Sequence, residues 1–244
     1  MQNTILVTGS SRGIGRACAV ALAGSNTNII VHYKQNREGA KMTQALCEAQ
    51  GARCQIFQAD LRQSDEVGRL FENAEEAFGA VSVLVNNAGI SLYGMIQDIT
   101  DEEWQDAFAL NVHGTFYCTR RAVPNMISQK YGRIINISSM WGLVGSACES
   151  LYSATKGAIN AFTKACAKEL IYSGVTVNAI APGVVDTDMM QQLDERSLKA
   201  VYEELPLGSM QAPEEIAFWV KQLASKQSGS MTGQILSPNG GLVY

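Results

Sequence analysis

Tyr152 and Lys156 stand four residues apart in Leu151-Tyr152-Ser153-Ala154-Thr155-Lys156-Gly157. On a helix that spacing puts both side chains on one face. A free phenol titrates near ~10, and a neighbouring ammonium stabilises the tyrosinate, so the pair suits proton transfer near neutrality. Tyr-x-x-x-Lys alone also describes an ordinary helix-surface pair. Its weight comes from the residues upstream: Ser139 falls thirteen residues before the tyrosine, Asn111 stands earlier, and Asn86-Asn87-Ala88-Gly89 lies mid-chain. A glycine-rich turn, Thr8-Gly9-Ser10-Ser11-Arg12-Gly13-Ile14-Gly15, opens the chain. Glycines between a strand and a helix let the backbone approach a pyrophosphate, where free N–H groups and the helix dipole favour an anion.

The elements that must hold these residues alternate. Strand-like runs are expected at Thr4–Thr8, Asn28–Tyr33, Arg53–Gln58, Val81–Val85, Arg133–Ser138, Val175–Ile180 and, briefly, Gln234–Leu236. Helix-period stretches separate them: Ile14–Ala23, Arg37–Ala49, around Asp65–Phe78, a long one from Thr100, the Tyr152 helix, and one after Pro213. Thr100-Asp101-Glu102-Glu103 makes a capping box, and an apolar stripe continues through Trp104, Phe108, Val112, Phe116 and Val123. This alternation predicts an α/β fold, a doubly wound parallel sheet of about seven strands with helices on both faces. With no linker or repeat, residues 1–244 read as one domain. The polar stretch at about 186–205 reads as a substrate lid beyond a strand's carboxyl end.

Composition narrows the function. The 244 residues are 46% hydrophobic and 17% charged, with a formal net charge of −4. That balance argues against a nucleic-acid partner, which calls for a concentrated basic face. No apolar run is long enough to span a bilayer, and a strand-like segment starts at once after Asn3, so a cytosolic protein is expected. Six cysteines without a Cys-x-x-Cys pair, and only His32 and His113, leave no metal site expected. The cysteines read as reduced core residues; Cys148, four residues before Tyr152, is the exception.

The glycine spacing, Asn86-Asn87-Ala88-Gly89, Asn111, Ser139, Tyr152, Lys156, Pro182-Gly183 and Asn239-Gly240-Gly241 resemble, in order and over essentially the whole chain, the short-chain dehydrogenase/reductase family. The resemblance implies a Rossmann-type nucleotide-binding domain. It implies Tyr152 as general acid, Lys156 lowering its pKa and holding the nicotinamide ribose, Ser139 bonding the substrate oxygen, and Asn111 holding a water linked to Lys156. It assigns the cofactor to Gly9, Ser11, Arg12, Gly13, Ile14 and Gly15 of the turn, Tyr33 and Lys34, and Asp60 and Leu61. Asn87, Ala88 and Gly89 join them, with Tyr152, Lys156, Pro182, Gly183, Val185 and Thr187.

NAD users place an acid at the end of the second strand for the ribose hydroxyls. Here Val31-His32-Tyr33-Lys34 carries none, while Arg12, Lys34 or Arg37 can approach a 2′-phosphate. NADPH is therefore expected. Within the family the chain is most similar to the 3-oxoacyl-acyl-carrier-protein reductase type, through Asp101-Glu102-Glu103-Trp104, Gly132 to Ser139 and Pro213-Glu214-Glu215-Ile216-Ala217. It departs at Ile90 to Met95, which lack basic residues, and at Ser209, where arginine is common. Ser138-Ser139-Met140-Trp141-Gly142 with Cys148-Glu149 resembles instead a branch that reduces a 5-aminopentanone group on elongation factor P. Met140, Trp141, Cys148, Glu149 and Met189 are the candidate substrate contacts. A Glu149 carboxylate would attract an ammonium, or it is simply a helix-start glutamate. A non-catalytic NADP-sensing scaffold is the alternative of another class. Ala154, Ala158, Ala161 and Ala165 form a small-residue stripe that suits a homo-oligomer, by family likeness a tetramer; burial within the chain is the alternative.

Overall fold

The computed structural model describes residues 3–188, 190 and 195–243. Seven strands, β1 (Asn3–Val7), β2 (Thr27–Tyr33), β3 (Arg53–Gln58), β4 (Val83–Asn86), β5 (Gly132–Ile137), β6 (Val175–Ile180) and β7 (Ile235–Leu236), form one sheet. Its order is β3-β2-β1-β4-β5-β6-β7 and every pairing is parallel. All residues of β4, β5 and β6 are buried, as a sheet covered on both faces requires. The chain walks outward from β1 to β3, then returns to β4 and walks the other way. That reversal between β1 and β4 opens a crevice beyond the strands' carboxyl ends.

On one face lie α1 (Gly13–Leu22), α2 (Arg37–Ala49) and α9 (Pro213–Ala224), whose apolar sides pack with Ile29, Val31, Val85 and Ile135. On the other lie α3 (Ser64–Phe78), α5 (Thr115–Ser128) and α7 (Ser150–Glu169), packing with Leu6, Ile30, Leu84 and Ile134. The remaining helices are α4 (Asp101–Phe108), α6 (Trp141–Val144) and α8 (Glu195–Glu204). Their starts reflect local chemistry. Asn36 Oδ1 accepts from Gly39 N at 2.8 Å to cap α2, and Thr100 and Glu103 close the expected capping box on α4.

The long helix from Thr100 departs from expectation. Between α4 and α5, residues Ala109–Gly114 form a π-helical segment, which inserts an extra residue per turn. The apolar stripe is divided: Trp104 and Phe116 are exposed, Phe108 stacks on Trp104 at 5.0 Å, and Val123 packs against the core. The buried face is made of Ala107, Asn111, Gly114, Thr115, Cys118, Thr119, Ala122 and Met126. On α7, Ala161 and Ala165 are also exposed, so that stripe is not buried within the chain. Among the described residues, no helix is long and apolar enough to cross a membrane.

Candidate active site

The turn after β1 is drawn tightly against its neighbours. Gly9 has φ +61°, and a Cβ there would lie 2.9 Å from Ala88 Cα, so only glycine fits. Asn87 fastens the end of β4 to the same turn: its amide donates to the carbonyls of Thr8 and Gly9 at 2.9 and 3.1 Å. The backbone N–H groups of Asn87 and Ala88 both donate to Thr8 Oγ1. Helix α1 starts at Gly13 with no side-chain cap and no acid in its first turn. Its dipole and first N–H groups are therefore uncompensated by protein, as an anion-binding end requires.

A cavity of about 610 Å³ runs along this edge. Every residue expected to touch cofactor lines it: Gly9, Ser11, Arg12, Gly13, Ile14, Gly15, Tyr33, Lys34, Asp60, Leu61, Asn87, Ala88, Gly89, Tyr152, Lys156, Pro182, Gly183, Val185 and Thr187. Arg37 does not line it, because it points to solvent from the first turn of α2. The cations at one end are already paired with carboxylates. Lys34 Nζ lies 2.7 Å from Asp60 Oδ2, and Arg12 Nη1 lies 3.1 Å from Asp188 Oδ2.

At the other end Ser139, just past β5, meets α7. Ser139 and the Tyr152 phenol stand side by side on the cavity wall, close enough for the serine hydroxyl to pull the phenol's pKa down, and Lys156 lies below with its ammonium 5.5 Å from the Tyr152 ring centre. Lys156 Nζ donates to the Ile137 carbonyl at 2.8 Å. Asn111 is buried behind the cavity wall rather than in it. Its amide is committed to both backbone groups of Ile90, at 2.9 Å each, and to Thr155 Oγ1 at 3.1 Å. A Cβ on Gly89 would lie 3.1 Å from Asn111 Oδ1 and 3.7 Å from Lys156 Nζ, so the bare glycine lets the two approach. Asn111 thus holds the Gly89–Ile90 turn beside Lys156. Met140, Trp141 and Glu149 line the adjoining wall with Ile90 and Ser91. Cys148 does not: held at φ +60°, it turns its thiol toward Met95 Sδ at 3.4 Å. Met189 and residues 191–194 of the expected lid fall outside the described residues.

The sequence model of short chain dehydrogenases matches residues 3–198. The chain belongs to the short-chain dehydrogenase family. It is 39% identical to the uncharacterized oxidoreductase YmfI of Bacillus subtilis over 242 residues, covering 99% of both chains. It is 40% identical over 239 residues to the 3-oxoacyl-[acyl-carrier-protein] reductase of Synechocystis, covering 98% of this chain and 96% of that one. The FabG reductase of the same description from Staphylococcus aureus is 37% identical over 242 residues, 99% and 98% of the two chains.

In this dehydrogenase, burial sets the resting protonation of the site. Burial, then the Glu149 charge, push the Tyr152 phenol above its ordinary value, with the Ser139 hydroxyl opposing. Lys156 does not reverse this. Its own pKa falls to about 8 through burial, and its ammonium is turned to a carbonyl. The phenol consequently stays protonated, the state a proton donor needs. Burial also raises Glu149, offset in part by Ser91, whose hydroxyl donates to Glu149 Oε1 at 3.3 Å. At Asp60 burial acts upward, yet hydrogen bonds from Lys34 and Arg62 hold the carboxyl below its ordinary value.

Two residues of the site escaped the sequence reading. His32 accepts from Gly9 N at 2.9 Å through Nδ1, and its Nε2 lies 3.0 Å from the Ala59 carbonyl. The carbonyl fixes the proton on Nε2, and burial drops the pKa to about 4, so the ring is a neutral strut between three strand ends. Arg62 lines the cavity and joins Asp60 to Asp106 of α4. Neither lies in a recognisable motif; the only signal was a histidine directly after the apolar run Ile29-Ile30-Val31 of β2.

Proposed function

We propose that this oxidoreductase reduces a ketone to a secondary alcohol at the expense of NADPH. The observation that carries the reading is the placement of Ser139 and Tyr152 side by side on the wall of the cavity that the glycine turn begins, with Lys156 beneath them. The uncapped, acid-free start of α1 fits a pyrophosphate. The end of β2 offers Tyr33 and Lys34 where an acid would repel a 2′-phosphate, and Arg12 lies across the groove. When bound there, the cofactor supplies the hydride. The protein's part is to hold and protonate. Ser139 and Tyr152 bind the carbonyl oxygen, and Tyr152 Oη gives its proton as negative charge develops on that oxygen. The Lys156 charge stabilises the resulting tyrosinate. Asn111 keeps the Gly89–Ile90 turn and, through Thr155, the start of α7 in register.

The favoured substrate is a 3-oxoacyl group on acyl carrier protein, the substrate named for the Synechocystis and Staphylococcus relatives. A specific observation favours a second substrate, the 5-aminopentanone group on elongation factor P. Glu149 is the one acidic side chain on the wall beside Ser139, Met140 and Trp141 among the described residues, and it is partly buried. Such a carboxylate favours an ammonium and disfavours an anionic carrier arm. The outward aromatic stripe of α4 and α5 and the exposed alanines of α7 support a homo-oligomer, a tetramer by family likeness.

The test measures oxidation of NADPH and of NADH with a 3-oxoacyl thioester and with aminoketone-bearing elongation factor P. Faster turnover with NADPH on either substrate is expected. Tight NADPH binding without turnover of any ketone would leave a cofactor-sensing scaffold.

A further inference from the structure

Arg12 and Asp188 are 176 residues apart in sequence, yet their side chains meet at 3.1 Å over the groove. The backbone on both sides brings this about. Val185 bridges Gln211, the Asp186 N–H donates to the Gln211 carbonyl at 2.9 Å, and Gln211 returns a bond to the Val184 carbonyl. The next residue, Thr187, lies against the glycine turn: a Cβ on Gly13 would come 3.3 Å from its methyl group. Asp188 therefore leaves an anchored segment within reach of the guanidinium that stands at the start of α1. Both side chains are about half exposed, 55% and 48%, and both line the cavity.

A carboxylate on Arg12 occupies the fork that a phosphate monoester would take. We propose that Asp188 is a specificity-determining residue, an internal counter-ion that competes with the 2′-phosphate of NADPH for Arg12. This rests on the NADPH reading above. A half-exposed pair is weak and screened, so a phosphate dianion displaces it readily, and the pair lowers NADPH affinity without blocking it. NADH, which has no 2′-phosphate, makes no claim on Arg12 and leaves the pair in place.

The experiment measures dissociation constants for NADPH and NADH by fluorescence titration, without turnover, for wild type, Asp188→Asn, Asp188→Glu, Arg12→Ala and the Arg12→Ala/Asp188→Asn double variant. Asp188→Asn is expected to bind NADPH roughly two- to fivefold more tightly and NADH unchanged. Asp188→Glu, which can keep the pair, should bind like wild type. In the Arg12→Ala background the gain should vanish, because no guanidinium remains to compete for. A gain that persists there would mean that Asp188 acts by simple repulsion, and overturns the competition. Unchanged or weaker NADPH binding by Asp188→Asn overturns it as well. If wild type binds NADH as tightly as NADPH, the cofactor reading falls and takes this proposal with it; failure of the Asp188 variants alone leaves the NADPH preference standing. Unchanged thermal melting of each variant confirms that the fold is intact.

Discussion

Replacing Lys156 by methionine should make the protein more stable while removing its activity. Lys156 is 5% exposed, and burial alone carries its pKa from 10.5 down to about 8. A difference of that size is about 3 kcal/mol of destabilisation from a charged ammonium in the folded state at neutral pH. Methionine keeps the length and volume of the stem and gives up the bond to the Ile137 carbonyl, which returns about 1 kcal/mol. The net gain is about 2 kcal/mol, or roughly 4–8 °C in Tm for a chain of this size. Its pH dependence carries a signature. Below pH 8 folded and unfolded wild-type chains both hold the proton, and the folded chain bears the full penalty. Between pH 8 and 10.5 the unfolded chain binds the extra proton, so wild-type stability rises with pH. The variant's advantage should thus be full at pH 7, shrink from pH 8 and give way by about 10.5 to a deficit of about 1 kcal/mol, the worth of the lost Ile137 bond. Urea denaturation of both proteins across that range measures it. A variant less stable than wild type at pH 7, or an advantage that does not change with pH, refutes the account of Lys156 as an isolated buried charge.

Tyr152→Phe should lower turnover by about 10²–10⁴-fold while NADPH binding, monitored by fluorescence, is largely retained; near-normal turnover sinks the proposed mechanism. Reduction by the wild type should decline above about pH 8 as Lys156 loses the charge that supports the tyrosinate, and a flat profile through pH 9 counts against that role. Glu149→Gln should raise KM for a cationic ketone about tenfold and spare a neutral one, whereas equal kinetics removes the support for the aminoketone and leaves the carrier-bound thioester alone. Light scattering at micromolar concentration should give a mass above the 26.3 kDa of one chain; a monomer mass removes the oligomer.

The strands and helices were legible where local chemistry and periodicity agreed. The bounds of α2, β3 and β6 were read to the residue, since Asn36 caps one and unbroken β-branched or alternating runs mark the others. The stripe from Trp104 to Val123 shows the limit of that method. Periodicity says which side of a helix is apolar, not what that side meets, and of this stripe Trp104 and Phe116 are exposed while Val123 packs on the core. Tyr152 and Lys156 were legible because four residues on a helix fix a distance. Cys148 stands at the same spacing before Tyr152, but α7 begins only at Ser150, so helical geometry does not reach it. Arg12 with Asp188, and Arg62 with Asp106, are pairs of common residues from distant segments. No spacing announces them.

The π segment has an evolutionary side. One residue more than an α-helix needs is carried between α4 and α5, and it is this surplus that aims Asn111 at Ile90. A single in-frame codon loss within residues 109–114 would restore regular helical winding and leave the downstream face nearly where it is, because the wider turn already absorbs the extra residue; the change would fall on Asn111 and its neighbours. Such a deletion would yield a helix of better hydrogen-bond geometry and a broken site. The turn beside Lys156 thus depends on a backbone irregularity that a regular helix would not supply.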